Sequence, residues 1–169
     1  MVFMKNKQLV NKIKSDFEIW GFLSPITKEV KTKMAKDMPF IRWPNNKPCI
    51  EANLFILSQF NLGFSRKVNG GTLRTYAYHI SHIINYCSQK KINITGLTDN
   101  HFTQFICDLG SEIDTLGVRV RENNQVITIG RTCINFLFFL KDFYSLPNFI
   151  GVELFNSIKL EEKRISQSV

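Results

Sequence analysis

Long apolar runs are missing from this chain of 169 residues. The longest, Ile134–Leu140, is interrupted by Asn135 and followed by Lys141, too short to span a bilayer. The opening MVFMKNKQLVNKIK lacks the apolar stretch of a secretory signal, so a cytoplasmic protein with no membrane partner is expected. Paired cysteines are missing too. Cys49, Cys87, Cys107 and Cys133 lie far apart with no C-x-x-C, and the last three fall at apolar or near-apolar positions of helical patterns. That is the usage of reduced, buried thiols rather than of a disulfide framework. His79, His82 and His101 do not supply the spacing of a zinc site. No phosphate loop, no G-x-S-x-G and no usefully spaced carboxylate pair occurs, so neither a metal nor a cofactor is expected, and a stand-alone enzyme finds no support. Internal repeats and low-complexity segments are likewise absent.

What the chain has is positive charge and large apolar side chains. Lysine and arginine exceed aspartate and glutamate by 22 to 14, a formal net charge of +8, and the sequence pI is near 9.4. Such a balance favours an anionic partner such as nucleic acid. The excess sits early: residues 1–47 carry ten basic against four acidic side chains, 48–146 nine against seven, and 147–169 three against three. Fifteen phenylalanines and 44% hydrophobic residues are enough for a proper core.

Periodicity divides the chain into an arm and a helical part. Leu9, Ile13, Phe17 and Trp20 have helical spacing and predict a short amphipathic helix around 9–22. A Lys-rich stretch follows Ser24-Pro25, with a strand-like Pro39–Trp43 and a turn at Pro44-Asn45-Asn46, so 24–47 reads as an extended arm outside the core. Four helices come next. The first, Ile50–Leu62, has Ile50, Leu54, Leu57 and Phe60 on one side and ends at Gly63. The second runs from Thr72 as N-cap to about Gln89, with Leu73, Tyr76, Ala77, Ile80, Ile83, Ile84 and Cys87 at steps of three and four. Thr98 starts the third, with Phe102, Phe105, Ile106 and Leu109 inward and Gly110 ending it. The polar loop 110–125 contains VRVRENNQ, whose alternation fits a short strand or hairpin or neither. The fourth helix, about Ile127–Tyr144 with Thr128 as N-cap, is apolar nearly all round except for a stripe of Thr128, Arg131, Thr132 and Asn135, a pattern suited to the middle of a bundle.

Three of these features, in this order and spacing, carry a resemblance: Thr72–Tyr76 followed by Ile80; Leu97-Thr98-Asp99 opening a helix with Phe102 and Phe105; and Thr128–Arg131 leading into Phe136–Phe139. The segment 48–146 resembles the N-terminal core-binding (SAM-like) domain of the tyrosine recombinases, or phage-type integrases. Residues 147–169 resemble the start of that family's interdomain linker. The resemblance implies an all-α fold, a four- to five-helix bundle carrying the basic arm 1–47. It also implies a DNA-binding module of a site-specific recombinase, with double-stranded DNA and other recombinase protomers as partners. The family's catalytic set is not matched: His79-x-x-His82 has no accompanying Arg, and too little chain follows residue 150 for the catalytic domain. No catalytic residue is therefore assigned, and the chain alone is not expected to be an enzyme.

In this family the second and last helices of the domain approach the major groove. The resemblance therefore places a site at two helix N-termini, where unpaired N–H groups, the positive dipole end and guanidinium groups favour phosphate oxygens. Arg66, Lys67, Thr72, Arg74 and Tyr78 would serve the second helix, with His82 a turn beyond. Asn124, Thr128, Arg131 and Asn135 would serve the fourth, and Arg119 and Arg121 the loop before it. The competing expectation is a helical protein–protein interaction module without direct DNA contact. His79 and His82 read as surface polar residues, Tyr76 as core, and Phe136–Phe139 as packing rather than a stacking platform.

Overall fold

The computed structural model describes residues 9–13, 16–64, 71–147 and 149–151. Arg66 and Lys67, and all but the start of the linker-like segment, lie outside the described residues. The chain divides into two compact units, 1–88 and 89–169.

The first unit overturns the all-α expectation. Four strands precede the helices: β1 (Val10–Lys12), β2 (Glu18–Leu23), β3 (Val30–Met34) and β4 (Pro39–Ile41). β1 pairs antiparallel with β4, Val10 opposite Ile41, and β2 pairs antiparallel with β3, Glu18 opposite Met34 and Leu23 opposite Val30. The architecture is α+β. The helix expected at 9–22 does not form: Leu9 and Ile13 flank β1, Phe17 directly precedes β2 and Trp20 lies within it. Of the strand-like Pro39–Trp43, Pro39–Ile41 forms β4, and Arg42 makes an isolated bridge to Pro48. The segment 24–47 is not merely an arm either, because Ala35, Met38 and Ile41 are buried in the core.

After β4 the chain turns into α1 (Ile50–Asn61), closed by Leu62 and by Gly63 at φ +86°, a left-handed value open to glycine at little cost. The buried side of α1 is Ala52, Phe55, Ile56 and Phe60. Ile50, expected inside, is exposed, and Leu54 and Leu57 are half-buried at its margin. Asn53 joins the sheet to this helix. Its Oδ1 accepts the Ile41 N–H at 2.8 Å, and its Nδ2 donates to the Ile41 carbonyl at 2.8 Å and the Cys49 carbonyl at 2.7 Å. The side chain thus covers the outer edge of β4 as another strand would. α2 (Gly71–Lys90) buries Leu73, Ala77, Ile80, Ile83, Ile84 and Cys87, as its periodicity predicts, and also Tyr86. Tyr76 is half-buried, with its ring 6.3 Å from Phe55 and 5.8 Å from Phe64.

The second unit begins with a single 3-10 turn, Ile94–Gly96, and continues into α3 (Asp99–Ser111). Thr98 is the N-cap, as expected. Its Oγ1 accepts the His101 N–H, and His101 Nδ1 accepts the Thr98 N–H, each at 3.3 Å. Phe105 and Leu109 are buried, Phe102 and Ile106 half-buried. The loop that could be a strand, a hairpin or neither is a tight reversal held by a bridge between Ile113 and Arg119 and by Asp114, whose carboxylate accepts the N–H groups of Leu116 and Val118.

α4 (Asn123–Phe143) starts before the expected Ile127. Glu122 is its N-cap, and its N–H donates to the Gln125 side chain at 3.3 Å, so the polar run Glu-Asn-Asn-Gln is the first turn of the helix rather than loop. Thr128 is consequently no N-cap but lies inside the helix. Val126, Ile129, Thr132, Cys133, Phe136, Leu137 and Leu140 are buried, whereas Ile127, Phe138 and Phe143 are exposed. α4 is one-sided, not wrapped on all sides. Gly130 allows close contact with α3: a Cβ there would sit 3.0 Å from the Ile106 side chain. Phe149 and Ile150 return to the core of this unit, pinned by Lys141 Nζ donating to the Ile150 carbonyl and by the Gly151 N–H donating to Asp99, both at 2.8 Å.

Candidate nucleic-acid interface

On α2 the candidate surface is its first two turns. Gly71 opens the helix, and Thr72 is half-buried within the first turn rather than ahead of it. Arg74 and Tyr78, one turn apart, form a unit: the guanidinium lies 5.3 Å from the Tyr78 ring centre, and Nη2 donates to the phenol oxygen at 3.0 Å. An arginine has more donors than one phenol oxygen takes up, so this contact aligns the fork along the helix and lowers the entropy lost on meeting an anion. α2 contains no Asp or Glu along its whole length.

On α4 the exposed stripe is Asn124, Thr128, Arg131 and Asn135, at steps of four, three and four. Thr132, expected in it, is buried and donates its hydroxyl to the Thr128 carbonyl at 3.1 Å. Thr128 itself donates to the Asn124 carbonyl at 2.8 Å, which commits its proton and leaves the oxygen as an acceptor. Donors for phosphate therefore come from Arg131 and the two asparagine amides. Asp142 is the only carboxylate of α4. Glu122 at its N-cap places negative charge where an anion site was expected, so the side of α4 and not its tip is the electropositive part.

Arg121 departs most from expectation. Its guanidinium pairs with Glu112 with only 11% of the side chain exposed, closing the neck of the 112–121 reversal, while Arg119 is exposed on the same loop. Arg121 is structural. His79 and His82 are half-buried rather than surface residues. Among the described residues no group of three His, Cys, Asp or Glu side chains could hold a metal ion. Also within the first unit, an apolar groove of about 490 Å³ runs beside α1, lined by Ile13, Phe17, Ile19, Phe40, Leu54 and Leu57 among others.

Burial depresses the pKa of His79 below its ordinary 6.5. A histidine kept neutral by the fold binds its proton more readily when unfolded, so stability falls as pH drops from about 6.5 towards the lower folded value. Thermal melts at pH 7.5 and 5.5 are expected to show a loss that is smaller in His79→Gln; an equal loss in both proteins would remove His79 as the cause.

Cys49, Cys87 and Cys133 are buried and Cys107, expected inside, is exposed; none of the four is in a disulfide. Burial pushes the Cys49 and Cys87 thiols up to about 12. Since thiolate is the reactive form, an aromatic disulfide reagent at pH 8 is expected to label one thiol, Cys107, rapidly in the native protein and all four in denaturant. Rapid native labelling of more than one would contradict these positions.

Among the described residues no helix is long and apolar enough to cross a membrane. Compared with protein-family models, curated proteins and solved structures, the chain matches none.

Proposed function

We propose that this chain is a duplex-DNA-binding module that helps position a recombination site, as the core-binding domain of a tyrosine recombinase does. The observation that carries this reading is the side of α4, where Asn124, Arg131 and Asn135 are exposed along about 16 Å of helix with no carboxylate between Asn123 and Leu140. The acid-free α2 with its Arg74–Tyr78 pair is the matching feature of the first unit. A stripe of this kind suits a helix lying in or along the major groove, where guanidinium and amide groups reach phosphates and base edges. In this reading strand exchange belongs to a separate catalytic domain, further protomers are partners, and the protein works in the cytoplasm.

The test is binding to random-sequence duplex across a salt series. Electrostatic binding loses affinity as a power of salt concentration, with a slope of about −0.9 per neutralised phosphate. The second reading, a protein-interaction module, is favoured by Phe138, Phe143 and Tyr144, which are exposed on and just beyond α4. Salt-insensitive self-association without duplex binding would select it and reject the first.

A further inference from the structure

We infer that the β2–β3 ribbon is a second DNA contact, an arm that meets the duplex from its minor groove and wedges Ile26 between neighbouring base pairs. The inference rests on the DNA-binding reading above but concerns other residues, those of β2, β3 and the turn between them. Its starting point is a placement that folding alone does not explain. Ile26, at the tip of the ribbon, is 90% exposed, and Trp20, on β2, is 80% exposed. Leu23, Val30 and Met34 are exposed as well, and by register Trp20, Leu23, Val30, Thr32 and Met34 share one face. The other face carries Lys31 and Lys33, and Lys33 Nζ lies 5.9 Å from the Phe60 ring of α1. That places the apolar face away from α1.

The tip is stiff, as a wedge must be. Ser24, itself buried, accepts the Thr27 N–H on its hydroxyl at 3.2 Å and the Lys28 N–H on its carbonyl at 3.0 Å, and its own N–H donates to the Glu29 carbonyl at 2.9 Å. Pro25 fixes the backbone just before Ile26, and Lys28 closes the turn at φ +57°. An apolar side chain held out on such a turn loses little freedom when it is inserted. At the middle of the ribbon β2 bulges at Gly21, where a Cβ would come within 2.9 Å of the Lys31 carbonyl. A bulge bends a ribbon and increases its twist, which helps it follow a groove.

From Glu18 to Met34 the ribbon has three lysines, Lys28, Lys31 and Lys33, against Glu18 and Glu29, and Lys28 lies in the tip turn two residues from Ile26. Glu18, at the end remote from the tip, accepts the Thr32 hydroxyl at 2.7 Å. Apolar wedges of Ile, Pro, Leu, Met or Phe flanked by cations are the means by which minor-groove proteins unstack one base step and bend DNA. A single isoleucine beside a proline has the thickness for one step.

The experiment uses the full chain and a duplex of thirty base pairs carrying a donor and an acceptor dye at its two ends, titrated at several salt concentrations. Wild type is expected to raise energy transfer at saturation, reporting a bend. Ile26→Ser, a change at an exposed position that circular dichroism should show to leave the fold intact, is expected to abolish most of that rise and weaken binding about tenfold, while the salt slope set by the lysines and arginines stays the same. Lys28→Glu with Lys31→Glu should instead reduce the slope. Equal bending by Ile26→Ser and wild type, with binding retained, overturns the wedge and leaves the DNA reading standing. Absence of duplex binding by wild type overturns both. Binding to vesicles of phosphatidylserine and phosphatidylcholine that Ile26→Ser loses, with unbent DNA, would reassign the tip to a membrane and overturn the inference.

Discussion

Replacing Arg74 and Arg131 together by alanine is expected to weaken duplex binding roughly sixtyfold at about 0.1 M salt and to make the salt slope shallower by about 1.8. The arithmetic follows from counterion release: each phosphate contact adds about 0.9 to the slope of log K against log salt, and hence about 0.9 to log K itself at a tenth molar. The two positions lie on different helices, Arg74 on α2 and Arg131 on α4, and share no described contact, so their single effects should add. Arg74→Lys separates charge from alignment. It keeps the slope but loses the stacking on Tyr78, now 5.3 Å from the guanidinium, and should lose a small part of the affinity. Arg121→Ala provides the contrast. Because its guanidinium is already paired with Glu112, the slope should hardly change while stability falls, the carboxylate being left without its partner. Filter-binding or anisotropy titrations from 50 to 200 mM salt, with circular dichroism to establish folding, distinguish these outcomes. An unchanged slope in the double variant with the fold intact would falsify the proposed surface.

The helices that could be read from sequence were those in which one strong period coincided with burial. In α2, six of the seven apolar positions set by the 3–4 pattern are buried and Tyr76 is half-buried, because a long helix with an unbroken stripe has one way to exclude water. The first 47 residues misled for a physical reason. Leu9, Ile13, Phe17 and Trp20 match a helix, but the competing period of two in VKTKM, with Val30, Thr32 and Met34 opposite Lys31 and Lys33, was hidden by composition. Lysines normally mark solvent, and a ribbon exposed on its apolar face breaks the rule by which strands are usually recognised. The start of α4 misled in a related way. Glu-Asn-Asn-Gln reads as loop by propensity, yet the carboxamide of Gln125 accepts the N–H of Glu122 and lets the helix begin there. This moves the candidate site as well. With the helix start at Asn123, Thr128 and Arg131 become a lateral stripe rather than a tip, and Arg121 is drawn into a loop-closing ion pair.

Asn53→Ala is expected to cost the first unit about 3 kcal/mol. Periodicity could not reveal this residue, because its importance comes from contacts twelve and four residues away in sequence. One carboxamide serves three backbone groups, the Ile41 N–H, the Ile41 carbonyl and the Cys49 carbonyl, all within 2.8 Å. Alanine leaves the Ile41 N–H without its acceptor beside a residue that is fully buried, a loss of about 1–3 kcal/mol for that group alone. The Ile41 carbonyl keeps the Cys49 N–H at 3.0 Å, so its loss is smaller, and the better helix propensity of alanine returns about 0.6 kcal/mol. Asn53→Asp is the sharper test. The new carboxylate can still accept from Ile41 but faces two carbonyl oxygens, so the fold would favour its protonated form and raise its pKa above the unfolded value. Stability conferred by such a group is complete below the unfolded carboxyl pKa, about 3.9, and is lost as pH rises through the folded value. Asn53→Asp should therefore be less stable than Asn53→Ala at pH 7 and recover relative to it as the solution is acidified. Urea melts give the stabilities. Native thiol labelling adds a local reading, since loosening β4 from α1 should expose Cys49, buried in the wild type, and make a second thiol reactive beside Cys107. An Asn53→Ala protein within about 0.5 kcal/mol of wild type, with Cys49 still protected, would mean that the β4–α1 joint is held by apolar packing alone.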